Sequence, residues 1–437
     1  MPAPLLYPQT NPKLAEQLSI EKAQGIYVYD NKGKAYLEGL SGLWSASLGY
    51  GNQELIEAAT TQLEKLSFAP LFGGRTHEPA MALSERLADM VPIDNAKVFF
   101  GNSGSDANDT LLKILRYYNH VEGRPNKKKV ISRQRGYHGV TLSSSCLTGL
   151  PALHSNFDLP IDELGILHTD CPHYYRNSLP GESEEAFCDR LIRNVEQLIA
   201  KEGAETIAAF IAEPVNGAGG VVVPPNGYFA KLQTLLQKND IMLIADEVIT
   251  GFGRTGQAFG SNTFDIKPDM MTLAKAMSAS YLPISASVIS DEIYQALVGP
   301  ADKVGVFGHG YTYSGHPVCA AVALKTLEIY QRDNLFDYAR TAGDYMQSKL
   351  RPLGSMNCVG EVRGVGMIAA LEIVSDKAQK TADAALTGKI VNQCLENGLI
   401  VRQIYGNTIA ICPPLIITHE QIDELVDKLS RAIAAFC

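Results

Sequence analysis

The chain has 437 residues, of which 46% are hydrophobic and 19% are charged, values that are ordinary for a soluble globular protein of two or three domains. Its formal net charge of -9 argues against nucleic acid or an anionic membrane as the main partner. A run of about 18 apolar residues, the length that a membrane span needs, does not occur, so no span is expected.

The first predicted elements are a hairpin and an amphipathic helix. Residues 26–37 alternate about the turn Asp30–Gly33, which is typical of two antiparallel strands. From about residue 80 the pattern changes to helices that alternate with apolar strands. A helix that Pro92 ends is indicated by one face of apolar positions, Leu83, Leu87, Met90 and Val91.

A series of strands and helices follows. Strands are predicted at Lys97–Phe100, Val130–Ser132, Asp269–Ala274 and Ile284–Ser290. A helix begins near Ser105. The apolar strands Ile207–Pro214 and Ile241–Val248 flank a helix at Phe229–Gln237, and such a βαβ unit predicts parallel strands. Together these elements predict a three-layer α/β domain over roughly residues 60–315.

A smaller region of mixed character follows residue 316. It opens with a long helix at Val318–Tyr330. It ends with the capping-box pattern Thr418–Gln421, which precedes a helical face made of Ile422, Leu425 and Leu429.

Two apolar strands lead into a lysine and an aspartate. Asp269–Ala274 leads into Lys275, and Ile241–Ala245 leads into Asp246. An amine that forms a Schiff base and a carboxylate that keeps a pyridine nitrogen protonated are what a pyridoxal phosphate enzyme needs. A Schiff-base lysine must be held and partly desolvated, which a strand end favours, although a plain surface lysine is the alternative.

Small and polar residues follow the other strands. In parallel sheets, ligands bind beyond the carboxyl ends of the strands, which is where these residues are expected. The segment Ser103–Ser105 precedes a helix and could bind a phosphate through backbone N–H groups, or could form an ordinary N-cap. Tyr137 lies between glycines and could cover a planar cofactor, or could be a half-buried aromatic residue. Glu213 and Asp246 each follow a run of apolar residues, where an acid needs a hydrogen-bond or ion-pair partner. Side chains two residues apart in a strand point to the same face, so Val248 is expected on the same side as Asp246.

Other features predict no ligand. Gly251–Gly256 has the glycine spacing of a dinucleotide-binding loop, but no helix is predicted after it, so a turn is favoured over a dinucleotide-binding protein. The histidines, including His168 and His173 near Cys171, lack metal-ligand spacing, so no metal is predicted. The eight cysteines form no C-x-x-C pair and are interpreted as buried thiols rather than disulfides or zinc ligands. Met1–Tyr7 lacks the pattern of an export signal, so a cytoplasmic location is expected.

In chain order these segments resemble the motifs of the class III aminotransferases. The matching segments are Ser103–Asn108, Tyr137–Gly139, Glu213-Pro214, Asp246–Val248, Gly251–Gly256, Lys275 and Thr312–Pro317. The likeness extends from about residue 20 to the C-terminus. It implies an α/β fold of fold type I, with a large three-layer α/β/α domain of mainly parallel strands and a smaller α+β domain. By the resemblance, residues 61–315 form the large domain, while residues 316–437 and the N-terminal segment 1–60 form the small one.

The resemblance also implies a site and a cofactor, pyridoxal 5′-phosphate (PLP). Lys275 looks like the lysine of the internal aldimine and the general acid/base, and Asp246 like the partner of the ring nitrogen. Tyr137 and Val248 resemble the two faces of the ring site. The remaining cofactor-binding residues that the family pattern implies are Ser103, Gly104, Ser105, His138, Glu213 and Thr312. The family forms homodimers, or larger homo-oligomers, in which Thr312 would reach the phosphate of the partner chain.

The subgroup can be narrowed by one small residue. Many family members that act on ornithine, acetylornithine or 4-aminobutyrate carry a glutamate that pairs with a mobile arginine, whereas Ala218 stands at that position here. The chain therefore resembles the ω-amine and β-alanine:pyruvate branch, as does its Gly42-Leu43-Trp44 segment. Trp44, Phe72 and Tyr137 are then expected to line the substrate pocket. Arg402 would be the mobile arginine that clamps a carboxylate, with an ordinary surface arginine as its alternative.

We therefore expect a ping-pong transamination from a primary amine, diamine or ω-amino acid to pyruvate. An aminomutase or a decarboxylating PLP enzyme of the same fold is the alternative that the sequence leaves open.

Overall fold

The computed structural model describes residues 5–11, 13 and 18–437. Residues 1–4, 12 and 14–17 of the predicted N-terminal segment 1–60, and with them part of Met1–Tyr7, lie outside the described residues. The strands of the described part are β1 (Ile20–Gln24), β2 (Tyr27–Asp30), β3 (Ala35–Glu38), β4 (Lys97–Gly101), β5 (Lys129–Arg133), β6 (Ile166–Thr169), β7 (Ile207–Ala212), β8 (Met242–Asp246), β9 (Met270–Leu273), β10 (Ser285–Ile289), β11 (Val359–Val365), β12 (Ile368–Asp376), β13 (Thr381–Ala382), β14 (Leu399–Ile400), β15 (Arg402–Ile404) and β16 (Thr408–Ile411).

The α-helices of the described part vary from single turns to 19 residues. They are α1 (Ser41–Trp44), α2 (Gln53–Lys65), α3 (Glu78–Met90), α4 (Gly104–Val121), α5 (Leu142–Leu147), α6 (Ile161–Leu164), α7 (Tyr174–Asn177), α8 (Glu184–Glu202), α9 (Tyr228–Lys238), α10 (Gly260–Thr263), α11 (Asp291–Val298), α12 (Ala301–Val304), α13 (Pro317–Arg332), α14 (Leu335–Leu350), α15 (Ala384–Glu396) and α16 (His419–Ala434). Short 3-10 turns occur at Pro151–Leu153, Ala204–Thr206, Lys275–Ser278 and Arg351–Ser355.

The largest sheet has seven strands in the order β4-β10-β9-β8-β7-β5-β6. The predicted parallel pairing of β7 with β8 is confirmed, and the strands from β9 to β6 are all parallel. Only β10 runs against its neighbours, β4 and β9. The carboxyl ends of the other six strands therefore meet at one edge of the sheet, where ligands bind in open α/β folds.

Alternate residues of the central strands pack into different layers. Phe210 and Leu243 belong to a buried cluster with α8 and α9 on one face, whereas Ile211 and Ile244 pack with α4 on the other. This alternation follows from the two-residue period of a strand, and it explains why the central strands are apolar throughout. The predicted α/β class, with helices on both faces of a mostly parallel sheet, is confirmed.

Two further sheets hold the terminal segments. The predicted hairpin is present as β2 and β3, whose antiparallel pairing continues from β1. On its other side β3 pairs in parallel with β14, near the C-terminus. The sheet β11-β12-β16-β15, with β13 beside β12, is antiparallel, and its edge strand β15 begins with Arg402.

The cysteine prediction was wrong at one pair. Cys358 and Cys437 form a disulfide, with 5.7 Å between their Cα atoms and a separation of 79 positions in sequence. Spacing along the chain could not show this pair, because the C-terminus reaches the start of β11 only after α16 has packed. The other six cysteines are buried free thiols, as predicted.

The glycine-rich segment forms a turn, as predicted. Residues 251–256 are followed by irregular chain and then by α10, which has only four residues, so no dinucleotide-type helix opens there. Arg254 in this turn is buried and donates to the carbonyls of Met367 and Pro413, which ties the turn to the C-terminal sheet. Among the residues that the structure describes, no helix combines the length and the apolar character that membrane crossing requires.

Candidate active site

The carboxyl ends of five strands supply the walls of one cavity, here called the inner cavity. Its volume is about 440 Å³. Each strand ends and the chain then turns, so that a polar side chain faces the space above the sheet. The wall includes Ser103 after β4, Tyr137 after β5, Glu213 after β7, Asp246 at the end of β8 and Lys275 after β9.

Asp246 is held by three hydrogen bonds. Its Oδ2 lies 2.8 Å from His138 Nδ1 and accepts from Asn108 Nδ2 at 2.9 Å, while its Oδ1 accepts from the backbone N–H of Val248. Asn108 is itself fixed, because it donates to the His138 carbonyl and accepts from the Thr272 hydroxyl. The carboxylate is therefore buried, oriented and supplied with donors, as a preorganised charge must be.

Lys275 supplies the amine of the site. It follows β9 with a φ of 48°, a left-handed conformation that costs energy for a residue with a Cβ and is often found at functional positions. Burial lowers the pKa of its ammonium group, although the charges of Asp246 and Glu213 act in the opposite direction. A lysine with a lowered pKa has more of the neutral form that attacks a carbonyl carbon.

Glu213 organises the cavity wall through backbone contacts. Its carboxylate accepts from the N–H groups of Tyr137 at 2.9 Å and Gly217 at 2.8 Å. Burial raises the pKa of this carboxyl group, with the charge of Asp246 adding to the effect. The partner that we predicted for this buried acid is thus the backbone, and the contact fixes Tyr137 at the cavity wall.

The start of α4 is both a helix cap and part of the cavity wall. Ser103 and Asp106 form a reciprocal capping box, and Ser105 Oγ accepts from the N–H of Val140. A Cβ on Gly104 would lie 2.9 Å from Val248 Cγ2, so the glycine allows the helix terminus to approach Val248 closely. The N-terminus of this 18-residue helix attracts negative charge, and the sequence prediction of a phosphate site suits this position.

A larger space, here called the outer cavity, opens next to the inner one. Its volume is about 1090 Å³, and the two cavities share Leu43, Tyr137, Ile249 and Lys275. Its remaining wall is mostly apolar and includes Trp44, Val140, Leu150, Leu153, Ala218 and Ile404. Lys275 thus lies where the two spaces meet.

Arg402 is the single cation besides Lys275 on the described wall of the outer cavity. It is half-buried at the start of β15, with its guanidinium 5.6 Å from the Trp44 ring and within 3.3 Å of Gln9 Oε1. Burial lowers its pKa, and the described residues offer it no carboxylate partner. A charge in this position is available to a carboxylate that enters the cavity.

Sequence reasoning missed two residues of this arrangement. Asn108 bridges Asp246 to β9, and the signal for it was an amide placed one turn inside a helix that starts at a ligand site. Gln9 contacts Arg402 from the N-terminal segment, and nothing in its local sequence indicates that contact.

Comparison with known proteins decides the family. A family model described as aminotransferase class-III matches residues 9–433 of the chain.

The chain belongs to the class III aminotransferases.

Individual relatives support this over nearly the whole length. Gamma aminobutyrate transaminase 1, mitochondrial, of Solanum lycopersicum is 48% identical over 96% of this chain and 81% of the relative. Gamma aminobutyrate transaminase 3, chloroplastic, of the same plant is 47% identical over the same shares. Among solved structures, the omega transaminase from Pseudomonas jessenii in complex with PMP has a TM-score of 0.97 and 47% identity, covering 99% of this chain and 96% of that one. A structure described as a transaminase with L-ala has a TM-score of 0.94 and 52% identity over 96% and 99%.

As a class III aminotransferase, the enzyme uses PLP. The residues present fit this cofactor. The inner cavity combines a desolvated amine, an oriented carboxylate and a helix N-terminus, which match the aldehyde, the ring nitrogen and the phosphate of PLP. A side chain at residue 104 would press on Val248, so the glycine keeps the start of α4 close to Val248 on the wall of the cavity.

Two predicted residues lie elsewhere in the described chain. Phe72 and Thr312 are exposed and belong to neither cavity wall. Phe72 packs against Gly310, two residues before Thr312, and a Cβ on Gly310 would lie 2.7 Å from its ring. Within one chain the structure therefore does not bring them to the inner or the outer cavity.

His173 has a structural environment that the sequence did not predict. Its Nε2 lies 2.9 Å from Glu361 and 3.9 Å from Glu372, a grouping that by residue type could hold a metal ion. Both carboxylates already pair with Arg363 at 2.6 Å. A cation is thus present in the cluster, and a metal ion would have to displace it.

Proposed function

We propose that this aminotransferase is an ω-transaminase that moves the amino group of a primary amine, diamine or ω-amino acid to pyruvate. The observation that carries the proposal is the position of Lys275 at the junction of the two cavities, with Arg402 on a mostly apolar outer wall. An uncharged donor chain suits the apolar wall, and an acceptor carboxylate suits the arginine. The names of the tomato relatives add 4-aminobutyrate, an ω-amino acid, to the donors to be tested.

Each site residue has a proposed role that its contacts support. When bound, PLP supplies an aldehyde that captures amines and a ring that accepts the electrons of a broken C–H bond. Lys275 Nζ takes the proton from the amine-bearing carbon and later returns one, as general acid and base. Asp246, oriented by His138 and Asn108, holds positive charge at the ring nitrogen. Tyr137 and Val248, which both line the inner cavity, would flank the ring.

The phosphate and the substrate engage the remaining residues. We propose that Ser103, Gly104 and Ser105 bind the phosphate through the start of α4, and that Trp44 lines the donor pocket. Arg402 turns towards an α-carboxylate and lies against Trp44 when none is bound. Because pyruvate binds only after the donor's product has left, the two half-reactions proceed by a ping-pong scheme.

A homodimer would explain the position of Phe72 and Thr312. Both lie on a surface with exposed aromatic residues, of which Phe68 and Tyr313 have ring centroids 6.0 Å apart. Exposed aromatic patches commonly mark protein interfaces. We propose that Thr312 reaches the phosphate, and Phe72 the substrate pocket, of the partner chain. We also propose the division into a large domain, residues 61–315, and a small domain formed by residues 1–60 and 316–437.

A substrate panel tests the function. The PLP-loaded enzyme is mixed with putrescine, β-alanine, 4-aminobutyrate or an aryl-alkyl amine, first alone and then with pyruvate. We expect the visible absorption of the lysine-bound cofactor to disappear with a productive donor and to return with pyruvate, with alanine as product. Release of carbon dioxide, or return of the absorption without any keto acid, would instead indicate the decarboxylating enzyme or the aminomutase.

A further inference from the structure

A third space, here called the side cavity, lies beside the outer cavity and has a volume of about 700 Å³. The two are separate but share Pro151 and Tyr405 as a common wall. The polar wall of the side cavity includes Arg135, Arg176, His168 and the carboxylate of Glu372, together with the amides of Asn177 and Asn407. None of these side chains has a role in the proposed transamination.

Arg135 carries a buried charge that no acid among the described residues neutralises. Its side chain is 7% exposed, and burial lowers the pKa of its guanidinium. Nε donates to the Gly219 carbonyl at 2.7 Å, Nη1 lies 2.9 Å from His173 Nδ1, and the Tyr405 ring lies 3.8 Å away. Nη2 has no hydrogen-bond partner, and no described carboxylate lies within ion-pair distance. A buried charge in this condition is costly and attracts an anion.

The acids near Arg135 are already engaged. Glu372 pairs with both Arg176 and Arg363, and Glu361 pairs with Arg363. With Arg135, three guanidinium groups therefore face two carboxylates, so one positive charge is in excess. Burial lowers the pKa of His173, so this ring adds no positive charge at neutral pH.

Two further nitrogen atoms of the wall residues lack hydrogen-bond partners in the described part of the chain. His168 Nε2 and Arg176 Nη2 are buried without hydrogen-bond partners among the described residues. Burial and the nearby His154 lower the pKa of His168, so its ring is a neutral contact and not a further charge. The wall also contains Ile161, Pro151 and Ala382, whose side chains favour contact with the apolar part of a ligand over contact with water.

We propose that the side cavity is a binding site for a small organic monocarboxylate, held by the guanidinium of Arg135. One carboxylate balances the one excess positive charge, whereas a phosphate dianion would exceed it. Nε and Nη1 of Arg135 are already engaged, so Nη2 is the nitrogen that would donate to the carboxylate, and the apolar part of the wall accommodates a short carbon chain. The site does not depend on which donor the enzyme uses.

Calorimetric titration of the PLP-loaded enzyme with sodium propionate tests the proposal, in a buffer without other carboxylates or phosphate. Arg402→Ala removes the cation of the outer cavity and is the matched control. We expect saturable binding whose Kd changes less than about twofold in Arg402→Ala and rises at least about tenfold in Arg135→Gln. Cofactor content and melting temperature report whether Arg135→Gln is folded. If it is not, Arg176→Gln replaces it and is expected to weaken binding at least threefold, about 0.7 kcal/mol.

Three results would overturn the proposal. The first is the absence of saturable binding to the unmodified enzyme. The second is binding that disappears in Arg402→Ala but persists in the side-cavity variants, because the propionate would then occupy the substrate site. The third is tighter binding of inorganic phosphate than of propionate, because the charge of the site would then not match a single carboxylate.

Discussion

Replacing Arg402 with alanine should separate the two halves of the reaction. In the structure this guanidinium lies over the Trp44 ring and donates to the Gln9 amide oxygen, and no described acid pairs with it. Removing it therefore leaves no protein carboxylate without its cation. The loss is confined to whatever the arginine binds in the outer cavity, which we propose is the acceptor carboxylate.

The size of the effect follows from that contact. A guanidinium and a carboxylate form two charge-assisted hydrogen bonds, each worth roughly 1.5 kcal/mol or more in a partly buried site. The rest of the outer wall is mostly apolar, and its described residues offer no replacement cation except Lys275, which the proposed chemistry uses. A loss of about 3 kcal/mol corresponds to a decrease of about 150-fold in kcat/KM for pyruvate.

Stopped-flow absorbance measures each half-reaction by itself. The donor half-reaction with a simple aryl-alkyl amine should keep its rate within about twofold, because that donor has no carboxylate. For the pyruvate half-reaction, kcat/KM should decrease by about 150-fold. Arg402→Lys is the control, since it keeps the charge without the planar fork, and it should recover only part of the rate. Equal losses in both half-reactions would refute the reasoning.

Four other outcomes are expected. Ala218→Glu places an acid on the wall that carries Arg402. The value of kcat/KM for pyruvate should fall roughly tenfold, because the new ion pair between Glu at position 218 and Arg402 must first be broken. An unchanged kcat/KM would exclude this ion pair. Asp246→Asn should slow the donor half-reaction by about 10²–10³-fold with PLP content unchanged, because the oriented charge is lost. Burial raises the pKa of Glu38 to about 7, above its unfolded value, so its contribution to stability is complete below about pH 4.5 and is lost as pH rises through 7. Melting curves of Glu38→Gln should therefore show a gain over the unmodified enzyme, on the order of 3 kcal/mol, at pH 8 but not at pH 4.5. Cys437→Ser should lower stability by up to about 4 kcal/mol, as expected for opening a long loop, and should abolish any effect of dithiothreitol on the melting temperature.

Much of the fold was predictable because each signal lies within a few residues. The apolar runs of β7 and β8, with a helical segment between them, indicate a parallel βαβ unit, and the structure has one. The capping patterns at Ser103 and Thr418 likewise start real helices. The prediction that cysteines are free thiols failed at Cys358 and Cys437, because a contact across 79 residues leaves no trace in local spacing.

The residues of the candidate site likewise fall into those that local sequence could predict and those that it could not. Lys275 and Asp246 each follow an apolar strand, and strands that run in one direction bring their ends to one edge, so their approach to a shared cavity could be predicted. Phe72 and Thr312 could be named only by resemblance, and the single chain leaves both on its surface.

By itself, the sequence determined the α/β class, the family and the residues at the strand ends, because strand period, caps and ordered motifs are local properties. Only the tertiary structure decided that Asn108 orients Asp246, that Gln9 reaches Arg402 and that Arg135 stays without an acid. Those contacts join segments that are distant in the chain. Their existence depends on how the helices, sheets and terminal segments pack, which no stretch of sequence records alone.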